Sequence, residues 1–501
     1  MGELQNQLTI SKPNKGEKMK KNIRLIVVLL VIVLISTAIM SCTPKAPAVQ
    51  DVPASEEKTE NPPSGAKPLT GEASGFGDQF KEYYDEVIGL SGEAAFDYFM
   101  TLKDKGLTDR EILKFFIHLP LADVDSDAKS LYVSDALDTY TVNYPYGATV
   151  DNYVWVPGTG TEFTGPLTKV LQKLPYTDYM ALPAGKVGDP NKTYKVGVLT
   201  SGVRHPWGAA VSDAMLWQMN QFENIEVNYQ EHLADDAKLS SIMDTFIAQK
   251  MDAIYLFPRG EAASGPAVRR ALDAGIPVVA VDTLTGATNI TVQVAGNFPS
   301  NGAQNAMYLI DQLHQEGSFE ANMIFLRKPL GATNDALRTG HFLKVLSYFP
   351  EIKILQSYFD KNNRTEAFDN AQAALMAYDD IDIFMNLGDH EALAAIEAIN
   401  LAGRMNSREG GKKIIILSNN DSRELLSKIT SNDLDCAAPS TPLMGDIGSR
   451  MVARILAGET VPQYVVNPDI LLITQDGRSL FGMKTMLVED WIEYAYGPAV
   501  D

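Results

Sequence analysis

Two cysteines in 501 residues leave no disulfide framework to read. Histidine is scarce as well: there are six, scattered, and none sits in an i, i+4 arrangement with an acidic partner of the zincin type, so no metal site is expected. Gly410-Gly411-Lys412 lacks the preceding glycine and the following Ser or Thr of a phosphate loop, and no G-x-S-x-G elbow occurs. Positive charge is in the minority, with 43 Lys and Arg against 63 Asp and Glu and a net charge of −20. Nucleic-acid binding needs a basic stripe, and the part expected to fold has none. No enzyme chemistry, cofactor or nucleic-acid partner is therefore expected, and the acidity reads as solubility. Hydrophobic content of 45% and charged content of 21% suit a soluble globular chain, long enough for two or three domains.

The long apolar run that does occur lies near the N-terminus. Lys20, Lys21 and Arg24 precede Leu25 to Ile35, followed by Ser36-Thr37-Ala38. A basic stretch, an apolar core and a small-residue cleavage point describe a secretory signal. The run is short for a membrane span, which needs roughly 20 apolar residues. Translation could start at Met1 or at Met19. Ile39-Met40-Ser41-Cys42 resembles a bacterial lipobox, so residues 1–41 are expected to be a lipoprotein signal peptide and Cys42 the lipid attachment point. An uncleaved signal anchor is the alternative. Residues 42–75 carry six prolines and no aromatic residue, and read as a disordered tether.

Residues 76–190 form an N-terminal extension, helical at least as far as 140. Phe80, Tyr83, Tyr84 and Val87 share one helical face, and a second helix is predicted over Glu93–Lys103. Thr108-Asp109-Arg110-Glu111 is a capping box, with Leu107 and Ile112 as its hydrophobic staple, leading into a face of Ile112, Phe115, Phe116 and Leu119. Residues 141–190 are rich in Gly, Pro, Thr and Tyr and read as irregular or short-stranded.

From Tyr194 to about Thr474 short β-branched runs alternate with amphipathic helical stretches, in two successive blocks. YKVGVL, AIYLF, PVVAV, MIFL and KIIIL read as strands buried on both faces, as a parallel sheet between helices requires. The first block has strands at 195–200, 225–229, 253–257 and 277–281, then crosses through Thr291–Gly296. The second has strands at 322–326, 353–357, 381–385 and 413–417. The fold class is thus α/β, with two doubly wound Rossmann-like lobes behind a small helical region. Lobe 1 is assigned 191–297 plus 441–472, and lobe 2 is assigned 298–440 plus 473–501. Two such lobes behind an export signal point to a receptor that closes on a small molecule.

In open parallel sheets, ligands sit beyond the carboxyl ends of the strands. Those loops carry Ser201, His205, Trp207, Asp282 and Thr283 in the first block, and Arg338, Asp389 and Asn420 in the second. An indole stacks on the apolar face of a sugar ring, and forked polar groups bond adjacent hydroxyls. Asp389-His390-Glu391, at a helix start, also reads as a capping and solvated cluster.

VGVLTSGVRHPWGAAVSDA, DAGIPVVAVDT, ATNDALRTGHF, DIDIFMNLGDHEALAAIEAI and LSNND, in that order over roughly 192–474, resemble the type I periplasmic binding proteins of the ribose-binding family. The resemblance implies two lobes joined by three hinge crossings, and delivery of a sugar to an ABC importer or a chemoreceptor. It implies ligand contacts at Ser201, Trp207, Asp282 and Arg338, with Trp207 as the stacking aromatic. Elsewhere the chain departs from the ribose pattern. His205 replaces an asparagine, Thr283 an arginine, Gly388 an asparagine, Asn420 an aspartate and Ser440 a glutamine, and Gly208 stands where a second aromatic would be. These changes are expected to keep the pocket polar and remove charge. The function expected is a lipid-anchored, monomeric solute-binding protein on the outer face of the membrane, carrying a sugar-like molecule to an ABC permease. A ligand sensor presenting its closed form to a sensor kinase or chemoreceptor is the alternative. A transcription regulator of the same lobe fold would need a helix-turn-helix and no export signal.

Overall fold

Val, Ile and Ala dominate the central runs of both blocks, and each run is sealed from water on its two faces. The computed structural model describes residues 78–134 and 185–497, apart from 203–205, 331, 362, 441, 443, 468–469 and 493–494. The signal peptide, the tether with Cys42, nearly all of 141–190, and His205 lie outside the described residues. No helix among the described residues is long and apolar enough to cross a membrane.

Lobe 1 holds β1 (Tyr194–Thr200), β2 (Ile225–Glu231), β3 (Ala253–Leu256), β4 (Val278–Asp282) and β5 (Val292–Ala295). With β11 (Tyr464–Val466) they form a six-stranded sheet in the order β11-β5-β4-β3-β1-β2, parallel throughout. Strands β3, β4 and β5 are buried along their whole length, which is why they read as unbroken apolar runs. Edge strand β2, IEVNYQE, is half-exposed, and its charged and amide side chains blunt the edge. The segment Thr291–Gly296, expected only to cross between lobes, instead contributes β5, with Val279 paired to Val292. Its alternation of valines around Gln293 fits a strand, and Gln293 Nε2 donates to the carbonyl of Thr283 at 3.2 Å.

Lobe 2 holds β6 (Ala321–Arg327), β7 (Ile352–Phe359), β8 (Ile383–Asn386), β9 (Ile415–Asn419), β10 (Cys436–Ala438), β12 (Ile473–Thr474) and β15 (Met486–Leu487). Their order is β15-β12-β10-β9-β8-β6-β7, parallel except between β10 and β12. The chain passes between the sheets after β5, after β10 and after β11. Helix α5 (Pro206–Met219) of lobe 1 receives the returning helix α13 (Met444–Leu456), where Ser449 Oγ donates to Met215 O at 2.7 Å.

Helix α8 (Phe298–Glu316) follows the first passage and ties the other two. Asn301 Nδ2 donates to Pro439 O at 2.8 Å. Gln304 Nε2 donates to Ile470 O at 2.9 Å, and its Oε1 accepts from Leu472 N at 2.6 Å. These buried amides fix the three passages against one another, as buried polar groups with satisfied bonds do.

The N-terminal helices are α1 (Lys81–Val87), α2 (Gly92–Met100), α3 (Asp109–His118) and α4 (Asp127–Ser134). The capping box is formed: Thr108 Oγ1 accepts from Glu111 N at 3.3 Å, and Glu111 Oε2 accepts from Thr108 N at 2.8 Å. Phe80, Phe99, Phe115 and Phe116 are core residues, packed with α8, α9 (Thr333–Leu346) and Phe481 of the β13–β14 hairpin (Ser479–Leu480, Met483–Lys484). Phe116 lies 5.1 Å from the Phe481 ring, tilted by 42°, and Phe99 lies 6.0 Å from it, edge to face as aromatic quadrupoles favour. Ala122 N donates to Ser347 Oγ at 2.9 Å, and Tyr348 Oη donates to Pro120 O at 3.0 Å. The helical region is therefore a second layer on lobe 2.

Candidate functional site

The strand ends set the site. β4 ends at Asp282 with φ +71°, and Asn420, just after β9, has φ +75°. Asp and Asn tolerate the left-handed region better than most residues, and such conformations cluster at working sites. In lobe 2, Arg327 at the end of β6 donates twice to Asp335, Nη2 to Oδ2 at 2.6 Å and Nε to Oδ1 at 3.1 Å. This buried forked pair fixes the first turn of α9. Three residues on, and so on the same helical face, Arg338 is 2% exposed. Its Nη2 donates to Asn420 Oδ1 at 2.7 Å, its Nη1 to Leu387 O at 2.7 Å and its Nε to Asn301 Oδ1 at 3.3 Å. The guanidinium also lies 5.0 Å from the Phe298 ring centre.

Four carboxyls, those of Asp282, Asp389, Glu391 and Asp421, act electrostatically on this one guanidinium. Asp282 comes from lobe 1; Thr283 Oγ1 donates to its Oδ2 at 3.1 Å. Burial pushes Asp282 up to about 6, against the opposing pull of Arg338 and Thr283. Asp389 opens α11 (Asp389–Leu401) and accepts from Tyr496 Oη; burial pushes it up to about 6. Asp421 accepts from Trp491 Nε1 at 3.0 Å; burial, with the charge of Asp389 nearby, pushes it up to about 7. Burial in turn brings Arg338 down to about 10, with Asp282 the chief group holding it up.

Asp421, next to the Asn420 that stands where the family has an aspartate, brings a further carboxyl to this junction. The Asp389-His390-Glu391 cluster is not a solvated cap: Asp389 is 5% exposed and Glu391 is fully buried, 2.8 Å from Lys328 Nζ.

These acids have a stability consequence with a definite sign. Each has a folded pKa above the ordinary value of 3.8, so the unfolded chain loses these protons first. The contribution is fully favourable at low pH and fades as pH rises from about 4 to about 7. Between pH 4.5 and 7.5 the wild type should lose on the order of 1–3 kcal/mol more unfolding free energy than Asp421→Asn, followed by urea titration. Parallel curves for the two proteins would contradict the placement of Asp421.

Trp207, in the first turn of α5, is half-buried, and its ring meets that of Tyr496 at 5.6 Å and 66°, edge to face. Thr283 is half-buried beside Asp282, and Ser440 is fully buried on the passage after β10, its hydroxyl without a hydrogen-bond partner among the described residues. Its backbone N–H faces Asp421 and tempers the rise of that acid. Asp282, Thr283, Arg338, Asn420 and Asp389 thus meet at one buried junction between the lobes, with Trp207 joined to it through Tyr496. Ser201 lies half-buried just beyond β1, with no side-chain hydrogen bond to the others. The reading from sequence missed Asp421, Trp491 and Tyr496. A signal was present: WIEYAY places three aromatics in six residues near the end of the chain, and Asp421 follows directly on the Asn419-Asn420 pair.

The model of the periplasmic binding protein domain matches residues 196–460. A xylitol-binding protein of Mycolicibacterium smegmatis is 29% identical over 182 residues, 36% of this chain and 51% of that protein. The ribose import binding protein of Bacillus subtilis is 23% identical over 279 residues, 55% of this chain and 86% of that protein. The match to the first relative thus spans only about half its length. Among solved structures, a solute-binding protein of Bacillus halodurans with bound myo-inositol superposes with a TM-score of 0.53 at 18% identity, covering 60% of this chain and 98% of that one. The arabinose-transporter binding protein of Shewanella sp. ANA-3 gives 0.51 at 22% identity, covering 56% and 92%.

Proposed function

Because this chain belongs to the periplasmic binding protein family, we propose that it is an extracytoplasmic receptor, lipid-anchored through Cys42, that binds a sugar or polyol between its lobes and delivers it to an ABC importer. The observation that carries the reading is the junction itself: Asp282 of lobe 1 faces Arg338 and Asn420 of lobe 2 in a buried, polar setting. The lobes rotate about the three passages, and closure brings these groups and the Trp207 indole around the ligand. Water leaves, and each hydrogen bond to a ligand hydroxyl gains strength in the drier cleft. A dissociation constant near 1 μM corresponds to about −8 kcal/mol. Stacking on an indole and several charge-assisted bonds can supply that after ordering costs.

Thermal-shift titration with xylitol, ribose, apiose, arabinose and myo-inositol tests the reading, since a ligand of the folded form raises the melting temperature. At least one of the five is expected to do so, and silence from all would refute the proposal. Trp207→Ala should weaken the responding compound at least about tenfold, roughly 1.4 kcal/mol, in calorimetric titration.

A further inference from the structure

The last described segment of the chain runs into the cleft rather than away from it. Helix α14 (Val488–Trp491) is followed by a stretch fastened to the loop after β9. Arg423 N donates to Tyr496 O at 2.8 Å, Arg423 Nη1 donates to Gly497 O at 3.0 Å, and Ser422 and Tyr496 form a parallel bridge. That loop also carries Asn420 and Asp421. The segment is thus built onto lobe 2 at the ligand-facing ends of its strands, while the Tyr496 ring rests on Trp207 of lobe 1.

Two of its donors are spent in the same way. Trp491 Nε1 holds Oδ2 of Asp421, and Tyr496 Oη holds Oδ2 of Asp389. In each aspartate the other oxygen, Oδ1, is buried and meets no donor in good hydrogen-bond geometry among the described residues; the nearest groups are the Ser422 side chain for Asp389 and the Ser440 N–H for Asp421. Asp421 is 1% exposed and Asp389 is 5% exposed, so bulk water does not serve these oxygens. Buried acceptors without donors are rare in folded proteins and call for a missing partner.

We propose that the C-terminal segment is part of the binding site: Trp491 and Tyr496 orient Asp421 and Asp389 so that the free oxygen of each accepts from a hydroxyl of a bound polyol. This rests on the receptor reading above and narrows it, since the occupant must bring two donors to this side of Arg338. Trp491 and Tyr496 are positioning residues, and the aspartates make the contact. The segment also supplies an aromatic neighbour to Trp207, whose adjoining residue in α5 is Gly208.

The test uses the full chain with Tyr496→Phe, which keeps the ring and removes its hydroxyl donor, and Trp491→Phe, which keeps an aromatic ring of smaller size and removes the indole donor. Calorimetric titration with xylitol, ribose, apiose, arabinose and myo-inositol should show each variant at least tenfold weaker for whichever compound the wild type binds. Unchanged affinity in both variants overturns the proposal. A second readout needs no ligand. In protein carrying 13C-labelled aspartate carboxyls, with Asp389→Asn and Asp421→Asn as assignment controls, loss of a donor should raise the titration midpoint of one resonance in each variant. Titration curves identical to the wild type overturn the orienting role. Silence of all five compounds toward the wild type sinks the receptor reading and the polyol assignment, while the carboxyl titrations still decide whether the segment holds the two acids.

Discussion

Replacing Arg338 by alanine is expected to lower the unfolding free energy by about 3–5 kcal/mol, the range for removing one partner from a buried charge cluster. The reason is local. Leu387 O and Asn420 Oδ1 lose their donor from the guanidinium, and Asp282, Asp389, Glu391 and Asp421 lose a cation they share. No water-exposed path compensates, since Arg338 is 2% exposed. Binding of the responding polyol should fall at least tenfold in the same variant. Arg338→Lys restores the charge, but a single ammonium cannot reach Asn420 and Leu387 in the forked geometry, so recovery should be partial. Urea titration and calorimetry read the two effects, and an alanine variant with the wild-type unfolding midpoint would show that the cluster is not coupled as described.

Gly302→Ala is the second large effect, and it acts through the backbone. A methyl group at Gly302 in α8 would sit 2.1 Å from the carbonyl oxygen of Arg338 and 2.9 Å from the amide nitrogen of Phe342 in α9. Both neighbours are main-chain atoms within a helix, so no side chain can swing aside. The helices must separate, at a cost of at least about 3 kcal/mol, the upper end for overpacking a core. Moving α9 also moves Arg338 away from Asn420, so affinity should fall together with stability. Gly89, with open space around its added carbon, is the control: Gly89→Ala should stay within about 0.5 kcal/mol of wild type. Equal midpoints for the two variants would rule out the close approach of α8 and α9.

Periodicity made most of the fold legible. Runs such as PVVAV and KIIIL, apolar on both faces, announce central parallel strands, and Thr108 with Glu111 announces the start of α3. Short strands near the passages were harder. β5 has only four residues, and its Gln293 breaks the apolar run that marks its neighbours. For the site, Asp282 and Asn420 were found because they stand at strand ends, and Arg338 because the ATNDALRTGHF stretch resembles the family pattern. Tyr496 and Trp491 were not, because nothing in local sequence says that a segment more than seventy residues after β9 folds back onto the loop that follows it. The burial of Asp421 was hidden for a related reason: an aspartate in a polar loop looks solvated until the indole that covers it is in place.

The helices α1 to α4 weight the molecule unevenly. They are welded to lobe 2 through a shared aromatic core, so the two halves differ in bulk and stiffness. A hinge joining unequal bodies has a heavy side and a light side. If the lobes close about the three passages as proposed, lobe 2 carries the added mass of the four helices and lobe 1 does not.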